Sequence, residues 1–123
     1  LEYNMHRCEE SMAQLLLPMA GEEVYLATPK EQRAQKVVSL IRQLNEDLHE
    51  ITGGRHSRCY REVRDRDGKL MVPREVLPEI AKAALLDGAS VYNPEETDYD
   101  DNLMVLEAAW EGRPLDRTKL KKG

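Results

Sequence analysis

A chain of 123 residues is the size of one domain, and its net charge of −5 disfavours a protein that grips a nucleic-acid backbone. No run of about twenty apolar residues occurs, so no membrane-spanning helix is predicted. Phe is absent and aromatic residues make up only 5%, so the core must come from aliphatic residues and Met, which favours helix packing over a β-sandwich. Two distant cysteines do not make a disulfide framework, and the first residues do not resemble a signal peptide, so a cytoplasmic location is predicted.

The first predicted element is a helix over residues 5–20. Its apolar residues recur every three or four positions, the spacing of one helix face. Pro18 removes a backbone donor and must kink or end the helix, and Gly21 is expected to stop it. The apolar stripe consists of Met5, Cys8, Met12, Leu15, Leu16 and Met19.

The longest predicted helix runs from Thr28 to Gly53, and its roughly 24 helical residues at 1.5 Å each give a length of about 36 Å. Thr28 as N-cap, Pro29 at the first helical position and Glu31 three residues after Thr28 are typical of a capping box. Gly53 and Gly54 end the helix, because glycine adopts the left-handed conformation without strain. Its apolar stripe consists of Ala34, Val37, Val38, Ile41, Leu44, Leu48 and Ile51.

A small two-stranded hairpin is predicted after the second helix. Short runs at residues 60–64 and 69–72 flank the sequence Asp-Arg-Asp-Gly at residues 65–68, and an Asp-Gly pair in that setting is a strong hairpin signal. The same residues resemble the middle of an EF-hand loop. The first and twelfth positions of that loop would be Val63 and Arg74, where calcium needs carboxylates, so a plain turn is preferred.

Two more helices are predicted, over residues 75–87 and 98–111. Gly88 and Gly112 are their expected stops, and Thr97 with Asp100 forms a box-like cap for the last helix. The predicted fold class is therefore all-α, a bundle of about four helices with a small β-hairpin excursion. Residues 1–112 make the helical domain, and residues 113–123 make a basic, flexible tail. The apolar stripe of the helix over residues 75–87 consists of Val76, Leu77, Ile80, Ala81, Ala84 and Leu85. That of the helix over residues 98–111 consists of Leu103, Met104, Leu106 and Trp110.

Five side chains could ligate a metal, but their spacing is wrong for a structural zinc site. Such a site needs four ligands, usually in pairs such as Cys-x-x-Cys. One pair here has a single intervening residue on a helix, and the other adjoins the predicted hairpin. Surface histidines and a packed thiol are the preferred interpretation, and no metal site is predicted. The side chains are His6, Cys8, His49, His56 and Cys59.

An acidic cluster between residues 95 and 101 could supply an acid–base pair or hold a metal. At the start of a predicted helix it is more simply interpreted as capping and as a match to the helix dipole. Nothing basic and no histidine lies near it in sequence, which favours that interpretation. The cluster consists of Glu95, Glu96, Asp98, Asp100 and Asp101.

No nucleophile or phosphate-binding motif is present in the sequence. No Ser lies in a Gly-x-Ser-x-Gly turn, and neither Cys has a recognisable partner motif. Gly53 and Gly54 follow a helix instead of opening one, so they do not make a phosphate cradle. Any chemistry that the chain serves must therefore be completed by residues outside it.

Residues 77–88 (LPEIAKAALLDG) lead into Asn93-Pro94, and residues 100–101 (DD) lead through residues 106–110 (LEAAW). This succession resembles the C-terminal end of the iron-type (group III) alcohol dehydrogenases. The opening residues 1–4 (LEYN) resemble the family's segment just after its last metal ligand, and the helix over residues 29–52 takes the place of its long helix. The resemblance covers most of residues 1–112 in order and is sharpest over residues 77–110. Residues 58–72 resemble an insertion, and the segment after residue 112 extends past the end of many members.

The resemblance implies a C-terminal helical domain of an NAD(P)-dependent, metal-dependent alcohol dehydrogenase. In the family, one Asp and three His hold iron or zinc and a Gly-rich loop holds NAD or NADP. No position of this chain matches them, so no catalytic, cofactor-binding or metal-ligating residue is predicted here. The implied partners are an N-terminal nucleotide-binding domain, a small alcohol or aldehyde, and further copies of the chain in a homo-oligomer, with no nucleic acid and no membrane.

The same resemblance gives the chain a position beside the substrate. Residues 77–110 are expected to pack on the long helix as one wall of the cleft between two domains. Ala89, in the turn after the third helix, is expected to line that cleft. The alternative is a freestanding helical protein-interaction module with no catalysis, whose helices present a groove to a partner helix. A domain taken from a two-domain enzyme is expected to expose a large apolar patch, whereas a module is expected to be a well-behaved monomer or a symmetric dimer.

Overall fold

The computed structural model describes residues 1–120 and confirms the all-α prediction for them. Four α-helices follow one another: α1 (Met5–Ala27), α2 (Arg33–Ile51), α3 (Leu77–Leu86) and α4 (Tyr99–Glu111). Short 3₁₀ turns connect them. None of the helices in this part of the chain combines the length and apolar character that a membrane span needs.

The predicted hairpin is wrong, because residues 1–120 contain no strand and only an isolated antiparallel bridge between Arg64 and Leu70. The turn itself forms, with the Asp65 carboxylate accepting the backbone N–H groups of Asp67 and Lys69 at 2.9 Å each. Pairing stops there since residues 60–62, predicted as strand, form a 3₁₀ turn instead.

Helix α1 is longer than predicted and is broken at Gly21. The backbone leaves the helical region there, at φ 84° and ψ 169°, and helical turns resume up to Ala27. The break is where the sequence predicted a stop, since glycine adopts this conformation without a Cβ clash. Pro18 lies inside the helix, upstream of the break.

The predicted capping box of α2 is wrong. The Thr28 hydroxyl donates to the carbonyl of Val24 at 2.7 Å, so this residue ends α1 and does not begin α2. A 3₁₀ turn follows at Lys30–Gln32, and α2 begins at Arg33. The other end agrees with the prediction, because Gly53 and Gly54 have φ of 61° and 85° and follow the last turn directly.

Aspartate side chains accept backbone N–H groups at the end of α3 and at the start of α4. Asp98, and not Thr97, caps α4, with its carboxylate accepting the N–H of Asp101 at 2.9 Å. Asp87 accepts the N–H of Ala89 at 2.8 Å as α3 gives way to the next turn. Gly112 adopts the left-handed conformation at the end of α4, as predicted.

The helices pack as two pairs, α1 with α2 and α3 with α4. Met12, Ala34 and Val38 form the core of the first pair, joined by the half-buried Met5 and Cys8. In the second pair the buried residues are Leu77, Ala81 and Ala108. Several members of the predicted stripes lie outside these cores and are exposed: Leu15, Met19, Leu44, Ile51 and Ile80.

The expectation that residues 77–110 pack along the long helix is therefore wrong in its main part. Helices α3 and α4 pack chiefly on each other, and α4 also meets the turn at Tyr60–Glu62. Hydrogen bonds between the pairs run through the first residues of the chain: Arg42 of α2 donates to the Glu2 carboxylate at 2.7 Å, and Tyr3 bonds to α4.

The tail segment, residues 113–120, lies against the start of the chain. The Arg117 guanidinium donates to the backbone carbonyl of Glu2 at 2.7 Å, and Leu120 is buried. The flexibility predicted for the tail stays a prediction, and residues 121–123 of it lie outside the described residues.

Candidate functional site

A buried polar cluster lies where the start of the chain meets the segment before α4. It contains two carboxylates with almost no contact with solvent, Glu95 with 4% of its surface exposed and Asp101 with 1%. Burying a charge is costly unless it is paired and hydrogen-bonded, so the partners of these two groups define the site. We call the set of Tyr3, His6, Arg7, Glu95, Asp101 and Arg117 the polar cluster.

Asp101 pairs with Tyr3, 98 positions away along the chain. The Tyr3 hydroxyl lies 3.0 Å from the Asp101 carboxylate and 2.9 Å from the backbone carbonyl of Glu96. Burial, and then the hydrogen bond to Asp101, holds the pKa of Tyr3 well above its ordinary value. Tyr3 therefore keeps its proton and acts as a hydrogen-bond donor, not as a base.

Glu95 is held by two consecutive residues of α1. Nε2 of His6 lies 2.6 Å from one carboxylate oxygen, and Nε of Arg7 donates to the same oxygen at 3.1 Å. The arginine is mostly exposed while the carboxylate is buried, so the cation reaches inward from the surface. The carboxylate charge is thereby compensated in a place where it would otherwise be unstable.

His6 also receives a hydrogen bond from the tail segment. The Arg117 guanidinium donates to Nδ1 of His6, and its other nitrogen donates to the Glu2 carbonyl. Arginine has no acceptor atom, so Nδ1 must carry the lone pair and Nε2 the hydrogen that faces Glu95. An Nδ1 that accepts from Arg117 and an Nε2–H that faces Glu95 correspond to the Nε2–H tautomer of the ring.

The backbone around Glu95 is held by a pair of asparagines. Asn4 donates to the side-chain oxygen of Asn93 at 2.7 Å, and Asn93 donates back at 3.1 Å. Asn93 also donates to the Glu95 carbonyl at 2.6 Å. The Asn-Pro loop is thus attached to the start of the chain by side chains on both sides.

The acidic residues predicted as a cap fall into two groups in the structure. Asp98 caps α4, which confirms the capping interpretation for that residue. Glu95 and Asp101 point into the polar cluster instead. The sequence analysis found nothing basic and no histidine near them because Arg7 is 88 positions from Glu95. No local signal reveals such a pair.

Ala89 lies in the 3₁₀ turn Gly88–Tyr92 and is exposed. It borders an open groove of about 470 Å³, whose other side includes Tyr3 and Asn4. Three large apolar side chains around it are among the most exposed in the chain: Leu86 at 88%, Val91 at 77% and Tyr92 at 86%. We call these three the α3 patch.

The candidate metal ligands are dispersed. His6 is engaged with Glu95 and Arg117, and Nδ1 of His49 lies 2.7 Å from the carbonyl of His56. Cys59 is buried beside Gly112. Within residues 1–120, no three His, Cys, Asp or Glu side chains are grouped so that they could hold a metal ion.

The polar cluster contains two carboxylates, a tyrosine hydroxyl, an imidazole and two guanidinium groups, but they are engaged with one another. The arrangement joins three segments: the start of the chain, the Asn-Pro loop with α4, and the tail segment.

Comparison of the chain with protein-family models, curated proteins and solved structures finds no match.

Proposed function

We propose that this chain is the C-terminal helical domain of an NAD(P)-dependent, metal-dependent alcohol dehydrogenase of the iron type. The observation that carries the proposal is where the resembling stretches lie. Residues 1–4 and residues 93–101 come from opposite ends of the chain, yet Asn4 bonds to Asn93 and Tyr3 bonds to Asp101. Stretches that resemble one family at two separate places are expected to belong to one structural unit, and these form a single packed body.

The exposure of the α3 patch supports the proposal that another domain packs against this chain. Large apolar side chains exposed to water favour an interaction site, because their exposure is unfavourable. The three patch residues flank Ala89 in sequence, in the turn which the resemblance assigns to the inter-domain cleft. We infer that this face contacts the N-terminal nucleotide-binding domain and that Ala89 lies near the alcohol or aldehyde substrate.

In the proposed enzyme, this chain forms one side of the substrate cleft between two domains. In the resembling enzymes, a metal polarises the alcohol oxygen and the nicotinamide accepts a hydride. The proposal assigns the metal ligands and the cofactor loop to residues outside this chain, because no position here matches those of the resembling family. The helical wall closes the cleft on one side and excludes water from it. Free thiols at Cys8 and Cys59 suit the reducing cytoplasm that the proposal implies.

The direct test is the coding sequence immediately upstream of Leu1. We expect an Asp and three His with the family's metal-ligand pattern, the last within a His-Gly pair, and a Gly-rich cofactor loop before them. The chain extended by those residues should oxidise small primary or secondary alcohols with NAD or NADP. A reading frame without those ligands would contradict the proposal and favour the freestanding interaction module.

A binding experiment provides a second test. Calorimetric titration of the 123-residue chain with zinc or ferrous ion, and then with NADH, should show no stoichiometric binding. The extended chain should bind both. Tight binding of metal and NADH by the 123 residues alone would contradict the assignment of both sites to the upstream part.

A further inference from the structure

We propose that His6 is a proton-controlled latch that holds the tail segment, residues 113–120, to the body of the domain. With a neutral ring, His6 joins Arg117 to Glu95. Protonation of the ring releases Arg117. This inference rests on the polar cluster alone and is independent of the proposed enzyme function.

The latch depends on the order of three groups. The Glu95 carboxylate accepts from Nε2 of His6, and Nδ1 of His6 accepts from the Arg117 guanidinium. Glu95 is buried and His6 is partly exposed, so the ring has access to solvent protons while one side of it faces a charge held inside. A second proton on the ring can be placed only on Nδ1, the atom that accepts from Arg117.

Protonation therefore affects the two neighbours in opposite ways. The imidazolium forms a stronger, charge-assisted hydrogen bond with Glu95. On its other side, it replaces an acceptor with an N–H group and faces a guanidinium that is always charged. The contact to Glu95 stays and the contact to Arg117 is lost.

Other charges around the ring do not reverse this result. Arg7 shares the Glu95 carboxylate with His6, and the Glu2 carboxylate accepts from Arg42. In the tail segment, Asp116 pairs with Lys119. The cleft that His6 borders carries charges of both signs, from Glu9, Glu10, Lys30, Glu31 and Arg33.

Arg113 is bonded to the end of α4 and to Arg42, and beyond it the tail segment has few other attachments, so losing one of them matters. Arg117 also donates to the Glu2 carbonyl, and the N–H of Leu115 donates weakly to the Glu2 carboxylate at 3.3 Å. Leu120 is its buried apolar residue. Loss of the hydrogen bond to His6 should increase local opening of the segment about three- to tenfold.

The first measurement is the tautomer of each histidine by ¹⁵N NMR of the imidazole rings at about pH 8, where imidazoles are ordinarily neutral. His6 should be the Nε2–H tautomer. His49 should be the opposite, Nδ1–H tautomer, because its Nδ1 faces the carbonyl of His56. His49 thus serves as an internal reference. An Nδ1–H tautomer at His6 would overturn the proposal that His6 accepts a hydrogen bond from Arg117.

The second measurement is hydrogen exchange of the Lys119 and Leu120 backbone amides at about pH 8 and about pH 5.5, above the range in which carboxylates ordinarily titrate. After correction for the intrinsic rate, exchange should be about three- to tenfold faster at the lower pH. Amides inside α2 provide the control and should not change.

A variant separates protonation of His6 from other effects of pH. In His6→Gln the amide can accept from Arg117 and donate to Glu95, but it cannot take up a proton, so the pH effect on the tail should disappear. An unchanged pH effect in His6→Gln, or none in the natural chain, would overturn the proposal. If His6→Gln fails to fold, the tautomer measurement on the natural chain still decides.

Discussion

At the scale of single residues, the buried carboxylates of Glu95 and Asp101 determine which segments meet. Each has partners about 90 positions away, at the start of the chain. The sequence analysis named both residues but interpreted them with the rest of the acidic cluster as features of a helix start. A carboxylate at a helix N-terminus is compatible with either role, and only the position of Tyr3 and His6 in space distinguishes them.

Tyr3→Phe should destabilise the protein more than the loss of an ordinary surface hydroxyl. It removes a donor to the buried Asp101 carboxylate, and hydrogen bonds to charged groups contribute about 1.5–3 kcal/mol. The free energy of unfolding, measured with urea, should fall by about that amount with an unchanged slope. Tyr60→Phe alters an exposed tyrosine and should change it by less than about 0.5 kcal/mol. Equal effects of the two variants would mean that the Tyr3–Asp101 pair contributes little.

At the scale of elements, α2 and α4 end where glycine allows a left-handed residue, and one of those ends also serves tertiary packing. Gly112 has a φ of 74°, and a Cβ there would lie 3.0 Å from Cβ and 3.4 Å from Sγ of Cys59. Gly53 has a φ of 61° and open space around it. The sequence predicted both ends equally well, but it could not distinguish the packed one from the open one.

Gly112→Ala should therefore cost more than Gly53→Ala. Both variants force an L residue into the left-handed region, at about 1–2 kcal/mol. Only the first also drives a methyl group into Cys59, and overpacking adds about 1–3 kcal/mol. Urea unfolding of the two variants side by side measures the difference. A difference near zero would show that Cys59 moves aside at no cost.

The loop after α2 contains an ion pair between Arg58 and Glu62, and the stability that this pair contributes depends on pH. The side-chain and backbone hydrogen bonds from Arg58 lower the pKa of Glu62 from 4.5 to about 2. The unfolded chain takes up a proton near its ordinary pKa while the folded chain resists it, so this contribution is present above about pH 4.5 and is lost as the pH falls towards 2.

Glu62→Gln should remove that part of the acid sensitivity. Urea unfolding at several pH values between about 5 and about 2.5 should show a shallower loss of stability than in the natural chain. Arg58→Met removes the guanidinium but keeps the backbone N–H that also donates to Glu62, so it should flatten the loss of stability to a smaller extent. If both variants lose stability with falling pH as steeply as the natural chain does, the Arg58–Glu62 pair does not cause that part of the acid sensitivity.

At the scale of the whole molecule, two helix pairs are joined by the start of the chain and leave an apolar face open. The α3 patch lies at the end of α3, beside the Ala89 turn. Its side chains contribute little to the core because they are almost fully exposed. Their exposure is what the proposed missing domain would remove.

The isolated chain should accordingly self-associate as its concentration rises. A triple variant in which Ser replaces Leu86, Val91 and Tyr92 should self-associate less. Light scattering measures the association, and thermal unfolding should show that stability is unchanged, since surface substitutions cost less than about 0.5 kcal/mol each. Ile51→Ser provides the control, because Ile51 is equally exposed at the end of α2. A chain that stays monomeric at every concentration would remove the support that the α3 patch gives to a missing domain.

The sequence by itself determined the all-α class, the order of four helices, the break at Gly21 and the glycine ends at residues 53 and 112. These follow from apolar spacing and from the conformational freedom of glycine, which act within a few residues along the chain. Only the tertiary structure decided that Thr28 closes α1, that residues 60–72 do not form a hairpin, and that Glu95 and Asp101 turn inward. Each of those outcomes depends on which hydrogen-bond partner lies nearest in space, and for the two carboxylates that partner is at the other end of the chain.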